Sequence, residues 1–226
     1  MQLLLGSNYH VVSFLSILCA LNGLWIRPVH GFGSSPEVYR YFGYGSNVLP
    51  STMKSLRQID PIDFTAAVLP DYELRFDGSE GNLIEPSAAF VTPSKKGEVH
   101  GVLYTLTAED FAKVGSTEGV PFAYRWKRCR VHPYVGDGDN AGRLAMETTP
   151  ALNAVVLESP KLGNKNIPPS SSYLGLIKEG AQMMKFDREY QEFLDSIEEA
   201  TNLIIPQGIS GMLLRGAEIA RGIPRN

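Results

Sequence analysis

The feature that most constrains the fold is a succession of short extended segments from Phe32 to Glu158, each cut off by glycine, proline or Asp-Gly. "EVYRYFGYG" reads as extended and runs into a glycine turn, and "AVLPDYELRFDG" is a second extended stretch ended by Asp-Gly. "PSAAFVTP" and "GEVHGVLYTL" flank "SKKG", which predicts two antiparallel strands joined by a four-residue turn. "FAYRWKRCRVHPYV" alternates Tyr124, Trp126, Arg128 and Arg130 on one face with Arg125, Lys127, Cys129 and Val131 on the other, a mixed pattern that suits a curved sheet. "LAMETTPALNAVVLE" predicts a further strand, with "GDGDNAG" as the exposed hairpin end before it.

Helical periodicity enters in three places. "TAEDFAKV" opens a short helix that Thr107 caps while Asp110 reaches back, a capping box. "SSYLGLIKEGAQMMKF" predicts a helix capped by Ser172, and "DREYQEFLDSIEEA" one that begins at Asp187 with Tyr190, Phe193, Leu194 and Ile197 on one face. Packed over the sheet, these helices make an α+β fold with a small antiparallel or barrel-like sheet inside them.

With 226 residues, 43% of them hydrophobic and 20% charged, the chain can bury one real core. A net charge of -3 offers no basic stripe, so nucleic acid is excluded as a partner and a small molecule is expected. Two cysteines, Cys19 and Cys129, and four scattered histidines draw neither a disulfide framework nor a metal constellation, and no metal or cofactor is expected.

Residues 1–26 carry no Lys, Arg, Asp or Glu, and "VVSFLSILCALNGLWI" is apolar enough for the core of a targeting signal. Val29 and Gly31 put small residues where a signal peptidase reads, so residues 1–31 are expected to be a signal or targeting segment cut before Phe32. The destination is then the secretory pathway or, from the "VHGF" junction, a plastid; an uncleaved anchor, which would make a membrane contact, or a cytoplasmic chain is the alternative. Residues 32–205 are expected to form the folded domain and residues 206–226 a surface tail.

"YFGYGSN" at residues 41–47 is an odd strand end, because two glycines, a serine and an asparagine stand among its aromatics. Gly45 permits positive backbone angles, so the N-H groups of the turn can converge on a carboxylate or an oxyanion. A plain tight turn is the competing explanation. "GSTEGVPFAYRW" places Glu118 in a glycine-flanked loop from which a carboxylate can point into a cleft; alone, it would be an ordinary surface acid.

"YFGYGSN", followed in order by "EPSAAFVTP", "EVHGVLYTL", a short helix and "STEGVPFAY", resembles the gamma-glutamylcyclotransferase family. "PPSSSYLGLIKEGA" adds a third match, which carries a substrate-contacting tyrosine onto Tyr173 and a Gly-Ala pair onto Gly180 and Ala181. The resemblance covers residues 41 to about 199. It implies a small mixed, mainly antiparallel β barrel with flanking helices. It implies an enzyme in which the α-amine of a gamma-glutamyl amino acid attacks the side-chain carbonyl, releasing 5-oxoproline and the free amino acid. No protein nucleophile is needed, since proximity of the curled substrate supplies much of the rate.

One carboxylate must then take a proton from the α-ammonium and return it to the leaving amine, and Glu118 is the expected catalytic group. Tyr41, Phe42, Gly43, Tyr44, Gly45, Ser46 and Tyr173 are the expected substrate-binding residues, with backbone N-H groups as donors to the oxyanion and the α-carboxylate. Phe42 is expected to face the core, and Tyr41 and Tyr44 the site or its wall. An added segment around "YVGDGDNAGRLAMETTPALN" separates Glu118 from Tyr173 and departs from the family pattern, as does Gly43, where animal members commonly have alanine. The alternatives are a cyclotransferase acting on gamma-glutamylamines, a non-catalytic small-ligand-binding member of the fold, and a secretory-pathway interaction domain.

Overall fold

The structure, a computed structural model, describes residues 37–77, 85–159 and 166–200. Five strands, β1 (Val38–Gly43), β2 (Asp63–Asp77), β3 (Ala88–Thr107), β4 (Arg125–Pro133) and β5 (Leu152–Glu158), close into a barrel in the order β1-β3-β2-β4-β5. Four neighbouring pairs are antiparallel, and β5 returns parallel to β1 with Tyr41 opposite Val155 and Phe42 opposite Val156. Closure leaves β1 hydrogen-bonded on both sides, so its backbone is fixed before any side chain is counted.

The expected turn at "SKKG" is not a hairpin. β3 runs through it as one strand paired to β2 on either side, with Pro70 opposite Glu98 and Tyr72 opposite Pro93. Residues 94–97 form a bulge opposite Asp71, where Lys96 and Asp71 both take positive φ and the Lys96 amide donates to the Asp71 carboxylate at 3.4 Å. A bulge and a tight hairpin share the same turn residues; the long register with β2 decides between them.

α1 (Pro50–Arg57) follows the first turn, and α2 (Ala108–Thr117) carries the cap expected for it, with the Asp110 amide donating to Thr107 Oγ1 at 3.1 Å. "LAMETTPALNAVVLE" is not one strand. Its first part belongs to α3 (Ala141–Thr148), and β5 begins only at Leu152. No side chain beside α3 caps it; the distant Asp187 carboxylate accepts from the Gly142 amide at 2.8 Å and the Arg143 amide at 3.0 Å. A cap supplied from 45 residues away is invisible to local pattern.

α4 (Ser171–Met183) is capped by Ser170, whose hydroxyl accepts from the Tyr173 amide, rather than by Ser172. α5 (Arg188–Asp195) starts after Asp187 as expected, with Tyr190 and Leu194 buried but Phe193 partly exposed, at 42%. Most of the buried apolar side chains between Tyr41 and Leu194 form one hydrophobic cluster. Full burial of Leu174, Ile177 and Leu194 ties α4 and α5 to the barrel at about 1.5–3 kcal/mol per side chain. The targeting segment at residues 1–31 and the tail at 206–226 lie outside the described residues. Among the described residues no helix is long and apolar enough to cross a membrane.

Candidate active site

β1 delivers the site. Its burial rises along the strand until Tyr41, Phe42 and Gly43 are enclosed, and the chain then folds into a single 3-10 turn, Gly45–Val48. Gly45 sits at φ +63°, and a β-carbon there would lie 2.8 Å from the Tyr173 hydroxyl, so only glycine fits the turn against α4. Gly43 ends β1 against Asn47, leaving about enough room for a hydrogen and little more, since a β-carbon would come within 3.1 Å of Asn47 Cβ.

Phe42 points into the core, wholly buried, as expected. Tyr41 is also buried, but its hydroxyl faces the site and accepts a hydrogen bond from Asn47 Nδ2 at 2.8 Å. Tyr44 donates to the Leu157 carbonyl at 2.6 Å, which pins the turn to β5. The Tyr173 hydroxyl accepts from the Ala89 amide at 3.3 Å and from the Ser46 amide, so α4 closes over the same turn despite the added segment before it. The ladder pairing of Tyr41, Phe42 and Gly43 on β1 occupies that strand, which confines the expected backbone-donor role to the turn itself.

Glu118 stands at the C-terminal cap of α2, where its amide donates to the Val114 carbonyl at 3.0 Å. Gly119 then turns at φ +72°, and the Val120–Pro121 peptide is cis. The Glu118 side chain is 16% exposed, and Oε1 receives both Asn47 Nδ2 at 2.8 Å and Arg57 Nη2 at 2.5 Å. Burial pushes the Tyr41 hydroxyl far above the ordinary tyrosine range, and the nearby Glu118 carboxylate pushes it further. Tyr44 is raised by burial first and by Tyr124, Tyr41, Tyr173 and Glu118 in turn. Burial moves Tyr173 up to about 12, with Glu118 again contributing. These influences tie Tyr41, Tyr44, Tyr173 and Glu118 into one electrostatic neighbourhood of neutral phenols around a carboxylate.

The family profile described as "Gamma-glutamyl cyclotransferase, AIG2-like" matches residues 41–160, more than half of the chain and the whole stretch from Tyr41 through Glu118. The chain belongs to this family. As a cyclotransferase-family member, it is 28% identical over 174 residues to gamma-glutamyl cyclotransferase gliK of Aspergillus fumigatus, covering 70% of this chain and 61% of that one. It is 26% identical over 166 residues to the gamma-glutamylcyclotransferase of Bos taurus, covering 72% of this chain and 80% of that one. The chain thus spans less than two thirds of the fungal protein's length and most of the bovine protein's. Among solved structures, a gamma-glutamyl cyclotransferase superposes with a TM-score of 0.61 at 22% identity, over 79% of this chain and 99% of that one. An uncharacterised Homo sapiens protein does so with 0.62 at 24%, with the same coverage. At these identities the likeness shows the cyclotransferase fold.

Four residues of the site escaped sequence reasoning in this family member: Asn47, Arg57, Tyr104 and Thr117. Asn47 is the last letter of "YFGYGSN" and its hub: Nδ2 reaches Tyr41 and Glu118, Oδ1 accepts from Arg57 Nε at 3.0 Å, and its carbonyl accepts from the Tyr104 hydroxyl at 2.8 Å. Arg57 closes α1 and carried no signal except its place in the last turn of a helix, where a cation is favoured. The other candidates are occupied elsewhere. His100 is buried between Glu98 Oε1, 3.2 Å from its Nε2, and the ring of Tyr190, stacked at 4.2 Å. His132 Nδ1 donates to the Thr149 carbonyl at 3.0 Å. Burial pushes the Cys129 thiol up to about 12, which keeps it a thiol.

Proposed function

We propose that the chain cyclises a gamma-glutamyl amino acid to 5-oxoproline and releases the free amino acid, with Glu118 as the acid and base. The observation that carries this reading is a largely enclosed carboxylate set among neutral tyrosines, against the glycine turn at the end of β1. The substrate's α-amine attacks the γ-carbonyl carbon as Glu118 accepts one of its protons. The carbon–nitrogen bond of the amide then breaks, and Glu118 returns the proton to the leaving amine, so no water and no cofactor enters the balance. Backbone N-H groups of the glycine turn would meet the developing oxyanion or the α-carboxylate, while Tyr41, Tyr44 and Tyr173 wall the site and keep the substrate curled.

The engagement of His100 and His132 in other contacts, and the burial that keeps Cys129 a thiol, support a mechanism whose nucleophile comes from the substrate. The test is release of 5-oxoproline from gamma-glutamyl-alanine by the full chain and by Glu118→Gln. The variant is expected to lose at least about 100-fold in kcat, the lower range for a general acid-base group. Turnover that survives the substitution would remove Glu118 from the mechanism. Turnover of gamma-glutamylamines in preference to gamma-glutamyl-alanine would move the substrate class to the amines.

A further inference from the structure

Glu118 occupies an awkward position. It caps the C-terminal end of α2, where unpaired carbonyls make the surroundings negative and a carboxylate is disfavoured. Arg57 ends α1, so two helix C-termini meet with one anion and one cation between them. The guanidinium is used on all three nitrogens. Nη2 holds Glu118 Oε1 at 2.5 Å, Nε donates to Asn47 Oδ1 at 3.0 Å, and Nη1 donates to Thr117 Oγ1 at 2.8 Å. Thr117 in turn donates to the Lys113 carbonyl at 2.9 Å, so the third contact is anchored in the last turn of α2.

The Asn47 amide has one possible orientation in this frame. Arg57 can only donate, so Oδ1 faces it, and Nδ2 is left to give one hydrogen to Tyr41 and the other to Glu118. Both contacts to the carboxylate therefore fall on Oε1. Among the described residues Oε2 receives neither, and it is the oxygen left to exchange a proton. We propose that Arg57 is a positioning residue for the cyclisation, which together with Asn47 clamps Glu118 by Oε1 and presents Oε2 to the substrate amine. This inference rests on the cyclotransferase reading above. It assigns Arg57 to the carboxylate of the protein and not to a carboxylate of the substrate: the side chain is 13% exposed and its donors are already directed at protein oxygens.

The experiment compares Arg57→Ala and Arg57→Lys with the unaltered full chain on gamma-glutamyl-alanine. Loss of the clamp is expected to lower kcat about 10- to 100-fold with KM held within about twofold, since a misplacement near 1 Å in a reacting group costs rate and not affinity. Arg57→Lys stays low, because one ammonium cannot span Oε1, Asn47 Oδ1 and Thr117 Oγ1 together; it also carries the test should Arg57→Ala not fold. Millimolar guanidinium chloride, far below the molar range that unfolds proteins, restores part of the Arg57→Ala rate, and sodium chloride at the same concentration does not. An unchanged kcat in Arg57→Ala, or a raised KM at constant kcat, overturns the proposal, the latter by making Arg57 a substrate-binding group. A crystal structure of Arg57→Lys decides the point apart from turnover: the proposal expects the Glu118 carboxylate to leave Asn47 Nδ2, and an unmoved carboxylate overturns it. Failure of the unaltered chain on every gamma-glutamyl amide would instead strike the cyclotransferase reading, with the crystal structure still deciding the clamp.

Discussion

Replacing Gly45 by alanine isolates the contact by which α4 closes the site. The new methyl group would meet the Tyr173 hydroxyl at 2.8 Å and Ala89 Cβ at 3.1 Å, while the Tyr173 ring carbon Cζ stands at 3.9 Å, an ordinary contact. Two separate costs follow. Holding alanine at φ +63° costs about 1–2 kcal/mol. Forcing a methyl group into a filled space costs about 1–3 kcal/mol more. The sum, about 2–5 kcal/mol, lowers the melting temperature by about 2–4 °C per kcal/mol in a domain of this size. Removing the hydroxyl in Tyr173→Phe relieves the tighter of the two contacts and leaves the backbone cost and the Ala89 contact, so in that background Gly45→Ala is expected to cost about 1 kcal/mol less. Urea unfolding of the two single variants and the double variant reads the difference as shifts in midpoint at constant slope. Equal costs in both backgrounds would mean that Tyr173 does not lie over Gly45 in solution, and the placement of α4 on the turn would fail with it.

Two further expectations concern stability. Asp187→Ala strips the N-terminus of α3 of both carboxylate contacts, to the Gly142 and Arg143 amides, at an expected cost of about 1–2 kcal/mol by urea unfolding; a cost near zero would show that water caps α3 equally well. The buried tyrosines set the alkaline limit of the fold. Burial raises Tyr41, Tyr44, Tyr104, Tyr134, Tyr173 and Tyr190, so their contribution is complete below the unfolded value near pH 10 and is lost as pH climbs through the folded values, about 12 for Tyr173. Phenolate absorbance is therefore expected to rise together with loss of tertiary structure above pH 11; a smooth titration of all ten tyrosines near pH 10 in the folded state would contradict their burial.

Legibility followed the range of the interaction. The Thr107 cap, the start of α5 after Asp187 and the glycine turn after β1 each rest on contacts within a few residues, and periodicity or turn chemistry located them. The helix at Ala141–Thr148 failed that test because its cap comes from Asp187, and "SKKG" failed it because register with β2 turns a hairpin sequence into a bulge. Three consecutive serines offer the same chemistry to local reasoning, so the sequence points to Ser172 as the cap of α4 where Ser170 serves. At the candidate site, motifs and the family resemblance point to Glu118, Gly45 and Tyr173, whereas Arg57 carries no motif at all.

By itself, the sequence determined the strands' approximate places, the glycine turn with its aromatic approach, and the presence of a carboxylate before Gly119. These depend on φ preference, alternation and local capping, which each residue brings with it. The tertiary structure alone decided that β5 closes the barrel beside β1, that α4 brings Tyr173 onto Gly45, and that the ends of α1 and α2 meet so that Arg57 and Asn47 grip Glu118. Those contacts join residues ten to more than a hundred positions apart, and a hydrogen bond between distant side chains has direction only after packing has fixed both backbones.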